Sequence, residues 1–383
     1  MSKRVVFLRS NPVAPDPRVE KEAKSLFKHG YDVNIVGWDR TGQLNNEKLP
    51  YANITRLNIP AQFGSGIRNF PYLVKWNIYL LIWLFKNHNT YDYIHACDFD
   101  TIIPTIITKY LFKKKVVYDI FDFYSDMLRK VPSAIKKLIK KVDFFCINRV
   151  DAVIIADECR KKQIKGSNPK RLIVIYNTPE DINNYDNCFE YKEYGAQLRI
   201  AYVGLLQIER GLIEMIKVVQ RHPNWMLYLA GFGGDENEIL SHCSNFSNIK
   251  FYGRVNYDIA LKINNSSDVM FATYDPSIPN HRFSSANKLF EAMMLGKPII
   301  VAKNTGMDEI VEKYDLGKIV EYGDTDDLES ALNDFSQMNP NDKDSYSKRV
   351  KEIYNKYFSW SIMEEKLIML YEEILKNGDE IEY

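Results

Sequence analysis

The sequence predicts an α/β protein made of two doubly wound, parallel-sheet units, and three observations predict it. Short apolar runs of strand length alternate with longer amphipathic runs of helical period, the pattern of parallel sheets covered by helices. The alternation occurs twice, on either side of a polar stretch from Asn177 to Gln197 that is rich in Asn, Asp and Glu and lacks periodicity. The length of 383 residues is long for one core and suits two domains of ordinary size.

In the first half the expected strands are Arg4 to Leu8, Val33 to Val36, Tyr93 to His95, Val116 to Asp119, Ala152 to Ala156 and Leu172 to Tyr176. In the second half they are Leu198 to Val203, Met226 to Ala230, Ile249 to Tyr252, Asp268 to Ala272, Pro298 to Val301 and Lys318 to Val320. Each is a short, nearly unbroken apolar run, as strands buried on both faces require. The domains are therefore placed at 1–178 and 197–357, with a linker at 179–196 and a terminal helix within 358–383 that packs either on its own domain or back on the first. Two such units joined end to end turn their strand carboxyl ends toward each other, so the ligand site is expected in an interdomain cleft.

Composition narrows the function. Hydrophobic residues at 45% and charged residues at 26% are globular values, and a formal net charge of +1 argues against nucleic acid as a partner. Five widely spaced cysteines, with no C-x-x-C pair, suggest reduced thiols in a cytoplasmic protein rather than disulfides or a zinc site. The N-terminus runs directly into a strand, and the apolar run from Tyr72 to Phe85 is interrupted by Lys75 and Asn77 and falls short of a bilayer span.

Helix starts carry the first chemical signal. Asp16 suits a cap and Pro17 a first helical residue, with Arg18 next. Ser284 or Ser285 can cap a helix stopped by Gly296, so that Asn287 and Lys288 occupy its first turn, where free N–H groups and the dipole favour an anion. Glu291 lies on the face of Lys288 and Asn287. A phosphate at the helix mouth with a hydroxyl-rich ring beside it satisfies all three side chains, and a nucleotide sugar is such a ligand. Gly204 follows the first strand of the second half, and Arg210-Gly211 opens the next helix, an arrangement in which backbone approaches a phosphate and a cation neutralises it.

The segment Asn287-Lys288-Leu289-Phe290-Glu291 through Gly296-Lys297-Pro298 resembles the donor-binding segment of retaining GT-B glycosyltransferases of family four, the glycosyl transferases group 1. Arg210-Gly211 is similar to that family's Lys-Gly, Asp16-Pro17-Arg18-Val19 to its first helix start, and the segments around His95 and Tyr118-Asp119 to its acceptor-side motifs. The resemblance implies a GT-B fold of two Rossmann-like domains and metal-independent sugar transfer with retention, without a cofactor. The donor implied is a UDP- or GDP-linked sugar, and the acceptor a glycan or lipid-linked glycan in polysaccharide or glycoconjugate synthesis. It further implies donor contacts from Gly204, Arg210, Gly211, Arg254, Asn287, Lys288 and Glu291, acceptor contacts from Arg18, His95 and Asp122, and catalysis by Arg210, Lys288 and Asp119. Three positions depart from the family pattern: Leu205 replaces an arginine, Phe121 a histidine and Phe283 an acid. Those departures keep two alternatives open, a nucleotide-binding partner without catalysis and a sugar-nucleotide epimerase.

Two expectations concern surroundings. Asp98 and Asp100 mimic a metal-binding acid pair, but the place of Asp98 before a helix makes it a cap. A lysine-rich helix from Ser133 and a stripe of Tyr72, Trp76, Tyr79 and Trp83 suit peripheral contact with the inner face of a membrane.

Overall fold

Val5 to Leu8 and Ile94 are wholly buried because their strands carry apolar side chains on both faces, and a sheet of such strands must be covered on both sides. The computed structural model describes residues 3–62, 69–128, 131–180, 197–244 and 246–376. Within these the chain divides into one unit ending at Tyr176 and resumed from Met363, and a second from Asn177 to Ile362. The expected linker, 179–196, lies outside the described residues apart from Pro179 and Glu180.

The first unit runs β1 (Arg4–Arg9), α1 (Pro17–Lys28), β2 (Asp32–Asp39), β3 (Glu47–Leu49), β4 (Ala52–Asn58), α2 (Phe70–Lys86), β5 (Tyr93–Cys97), α3 (Phe99–Phe112), β6 (Lys115–Ile120), α4 (Tyr124–Met127), α5 (Ser133–Ile147), β7 (Ala152–Ile155) and β8 (Leu172–Val174). Its sheet has the order β3-β4-β2-β1-β5-β6-β7-β8, parallel except for the β3–β4 hairpin, which the sequence did not announce. The helix α3 packs against both α2 and α5, so the three lie side by side.

The second unit runs β9 (Leu198–Leu205), α6 (Leu212–Gln220), β10 (Trp225–Phe232), α7 (Glu236–Cys243), β11 (Ile249–Phe251), α8 (Tyr257–Asn265), β12 (Val269–Ala272), α9 (Asn287–Leu295), β13 (Ile299–Ala302), α10 (Met307–Tyr314), β14 (Gly317–Val320), α11 (Thr325–Ser336) and α12 (Pro340–Tyr357). The terminal helix α13 (Trp360–Lys376) follows, and from Met363 onward it groups with the first unit. All six strands of the second sheet are parallel, in the order β11-β10-β9-β12-β13-β14. Its core packs Leu212, Met215, Ile216 and Val219 of α6 with Leu227, Leu229 and Phe271 of the strands.

Helix ends correct two expectations. Asp16 caps α1, accepting from the Val19 N–H, with Pro17 first in the helix. At α9, however, the cap position is Ala286, one residue past Ser285, and its side chain makes no cap bond. Asp98 precedes α3 with φ +66° and makes no side-chain cap bond. Its carboxylate instead accepts from the Phe121 N–H at 2.9 Å and pairs with Arg9.

Candidate active site

The second sheet reverses its direction of growth between β9 and β12, and ligands of open α/β sheets bind outside the strand carboxyl ends at such a switch. The loop after β9, the loop after β12 and the start of α9 meet there. The Thr273 hydroxyl donates to the Arg210 carbonyl at 3.3 Å, and the Asp275 N–H donates to the Glu209 carbonyl at 2.9 Å. Gly211, at φ +69°, abuts Thr273 so closely that a Cβ would overlap the threonine side chain. Gly204 abuts the Lys288 ammonium in the same way, and a Cβ on Gly231 would fall on the Gly204 carbonyl oxygen. Gly231 and Gly233 thus serve close backbone packing, as Gly-containing strand ends commonly do.

Two cations stand on aromatic faces at this site. The Arg210 guanidinium lies 3.9 Å from the Tyr274 ring centroid, and Lys288 Nζ lies 4.4 Å from that of Tyr202. Burial pulls the Lys288 pKa down, but Tyr202, Tyr274 and Glu291 outweigh it and hold the ammonium above the usual lysine value. Arg210 opposes that rise, so the two cations repel, and an anion bound between them would relieve the repulsion. The first turn of α9, with exposed Asn287 as its first residue, brings helix-start backbone N–H groups to the same region.

Glu291 is buried one turn further along α9 and accepts from the Asn264 side chain at 3.3 Å. Arg254 is exposed just past the end of β11, 4.4 Å over the Phe232 ring, which is itself exposed at the end of β10. Leu205 is 43% exposed beside Phe232 in the strand register. Gly204, Arg210, Gly211, Lys288 and Glu291 are therefore gathered at one sheet edge, with Asn287 at the helix start and Arg254 flanking. Sequence reading missed Tyr202 and Tyr274, the platforms under the two cations. Two-residue alternation from Gly204 back along β9 would have put Tyr202 on the same face.

The expected acceptor residues have a different setting. Arg18 is 3% exposed and its guanidinium makes a two-pronged pair with Asp119, at 3.0 and 2.8 Å, while donating also to the Ile175 carbonyl. Glu22 lies 3.3 Å from Arg18, and His95 Nε2 lies 3.3 Å from Glu22 and 3.6 Å from Asp119. The other ring nitrogen of His95 meets the Tyr371 hydroxyl of α13 at 2.8 Å. Burial raises Asp119, but Arg18 and His95 outweigh it and bring the carboxyl down to about 2. Burial lowers His95, yet Asp119 and Glu22 overcome this and raise it. Glu22, His95 and Asp119 could form a metal-ligand set, but Arg18 already supplies their compensating cation. The structure thus places Arg18, His95 and Asp119 inside the first unit, not on a surface that an acceptor could touch. Asp122 is partly exposed and pairs with Arg160 at 2.7 Å. Phe121 lies under two guanidinium groups, 4.1 Å from Arg9 and 4.9 Å from Arg18.

Solved structures share this fold. Sucrose-phosphate synthase from Thermosynechococcus elongatus aligns with a TM-score of 0.75 at 15% identity, over 98% of this chain and 100% of its own. Anabaena HepE, solved in complex with UDP and glucose, aligns at 0.67 and 15% identity over 99% of this chain and 100% of its own. A glycosyltransferase from Rickettsia africae aligns at 0.65 and 14% identity, over 98% and 99%. No curated protein matches by sequence. The two-sheet architecture is the GT-B fold, and residues 186–353, which carry the switch-point site, match the family model for glycosyl transferases group 1.

Proposed function

We propose that the chain is a retaining glycosyltransferase moving a sugar from a UDP- or GDP-linked donor to a hydroxyl of a glycan or lipid-linked glycan, without a metal ion. The observation that carries this reading is the pair Arg210 and Lys288, two repelling cations over aromatic rings at the start of α9. Their placement suits a diphosphate, and structures of HepE with UDP share the fold. Arg210 and Lys288 take up negative charge as the bond between the sugar anomeric carbon and the phosphate oxygen breaks. The acceptor oxygen bonds to that carbon on the same face, and its proton passes to the departing phosphate oxygen. Glu291 accepts from the ribose hydroxyls, and Arg254 with Phe232 flanks the base. Arg18, His95 and Asp119 act as positioning residues, tying α1 to β5, β6 and α13. Synthesis of a cell-surface polysaccharide or glycoconjugate on the cytoplasmic side of the membrane is the setting that suits this acceptor.

A thermal-shift series with UDP, GDP, ADP and CMP tests the donor. One diphosphate at about a hundred times its dissociation constant should stabilise by about 2.7 kcal/mol. If no nucleotide shifts the transition, the reading is wrong. Leu205, exposed where the family pattern has an arginine, favours a second reading, nucleotide binding without transfer. Binding without transfer or donor hydrolysis across a panel of UDP- and GDP-sugars would establish that one.

A further inference from the structure

The helix α3 carries apolar side chains on its outer face as well as its inner one. Thr101, Thr105 and Thr108 face the sheet, wholly buried, and each hydroxyl donates to a carbonyl four residues back, at 2.9, 2.8 and 2.9 Å. On the outer side stand Ile103, Ile107, Tyr110 and Leu111, the last 61% exposed. Phe99, Ile102 and Ile106 are buried beside the threonines, yet two isoleucines, a tyrosine and a leucine stay outside, which opposes the ordinary burial of apolar surface unless something apolar covers them.

The neighbours repeat the pattern. In α2 the inner side chains Trp76, Leu80 and Leu84 are buried, with Trp76 stacked on Trp38 at 5.4 Å, so the expected outward stripe through Trp76 and Trp83 is not the exposed one. The exposed row is Phe70, Val74, Ile78 and Ile82, at four-residue spacing, with Tyr72 and Tyr79 beside it. In α5, Ile135, Leu138 and Phe145 are exposed, Leu138 at 62%. The three helices lie side by side, so these rows share one surface.

We propose that this surface docks on an anionic lipid bilayer. Charge selects that occupant. Leaving out Lys109, which is largely buried and paired with Asp151, the three helices carry six lysines, at positions 75, 86, 136, 137, 140 and 141, against two acids, Asp100 and Asp143, of which Asp143 is wholly buried. This excess is concentrated in a chain of net charge +1. Isoleucines and leucines flanked by tyrosines and lysines match the acyl boundary, the interfacial zone and the headgroup layer in turn. A second copy is disfavoured, because it would set one lysine array against another. The proposal deepens the membrane-side part of the function proposed above, yet it rests on the helices of the first unit and not on donor chemistry.

Co-sedimentation with phosphatidylcholine vesicles, with and without phosphatidylglycerol, tests it. The wild-type chain should pellet with the anionic vesicles and remain in the supernatant with the neutral ones. Lys137→Gln with Lys141→Gln should weaken partition roughly thirtyfold, since each lysine near the surface contributes about 1 kcal/mol. Ile107→Ser with Leu111→Ser should weaken it at least about tenfold. Both pairs are exposed, and both variants should keep the wild-type melting temperature and nucleotide-induced shift, which separates failure here from failure of the donor assignment. Equal binding to neutral vesicles, unchanged binding by either variant, or a dimer that Ile107→Ser with Leu111→Ser dissociates would overturn the proposal.

Discussion

Lys288 Nζ stands 4.4 Å from the Tyr202 ring centroid and rests against the Cα of Gly204, so the start of α9 and the carboxyl end of β9 converge on one ammonium. The glycine is needed because any Cβ would displace the charge. The cation is fixed before a ligand arrives, which is the condition under which charge stabilises a leaving group without reorganisation cost.

Lys288→Ala and Arg210→Ala should each lower turnover about a hundredfold, the usual effect of removing one preorganised donor. Gly204→Ala should act in the same direction by pushing Lys288 aside. Steady-state rates with the matching donor, beside melting curves that show folded protein, check all three. Full turnover in both charge variants would dismiss the assigned roles.

Glu291→Gln should weaken nucleotide affinity by about tenfold or more, since a hydrogen bond to a charged group contributes about 1.5–3 kcal/mol. Arg254→Ala should weaken it less, by about 0.5–1 kcal/mol, because its contact with Phe232 is exposed. Titration calorimetry with the nucleotide alone reads both values, and the reverse ranking would count against the assignment of Glu291 to ribose.

Arg18→Leu should destabilise the first unit by about 3–5 kcal/mol, because it leaves Asp119 and Glu22 buried without their cation. Denaturant unfolding measures this, with the nucleotide-induced shift of the second unit as a control. Asp119 carries a folded pKa of about 2, below its unfolded value, so its contribution is present above about pH 4 and lost as pH falls through about 2.

Asp143 gives the opposite slope. Burial pushes its carboxyl up to about 7, and the Tyr118 hydroxyl donates to Oδ1 at 2.8 Å. The folded state keeps a proton that the unfolded chain releases near pH 4, so stability falls as pH rises from about 4 to 7, by at most about 1.4 kcal/mol per unit. Asp143→Asn retains the acceptor for Tyr118 and should remove that slope. Denaturation midpoints at pH 5 and pH 7, compared between wild type and variant, decide it.

The twelve strands expected from apolar runs all occur, because burial on both faces leaves a local signature in sequence. The β3–β4 hairpin was not legible: β3 is a three-residue edge strand, and both strands carry polar residues such as Glu47, Lys48, Asn53 and Arg56. At the candidate site, Arg210, Lys288 and Glu291 were readable from helix starts and spacing. The burial of Arg18, His95 and Asp119 was not, since Glu22 and Tyr371 close that network from 73 residues before and 276 residues beyond His95. Asp98 misled for a similar reason: its partners Arg9 and Phe121 are distant in sequence and adjacent only across the sheet.

Tyr371 also bears on the order in which the polypeptide matures during translation. Its hydroxyl reaches His95, and Glu364 accepts from Ser25, so the earliest-made lobe lacks part of its interior until residue 371 has left the ribosome. The later-made lobe, closed by Ile362, has its own residues in hand sooner and should be the first to resist protease on stalled nascent chains.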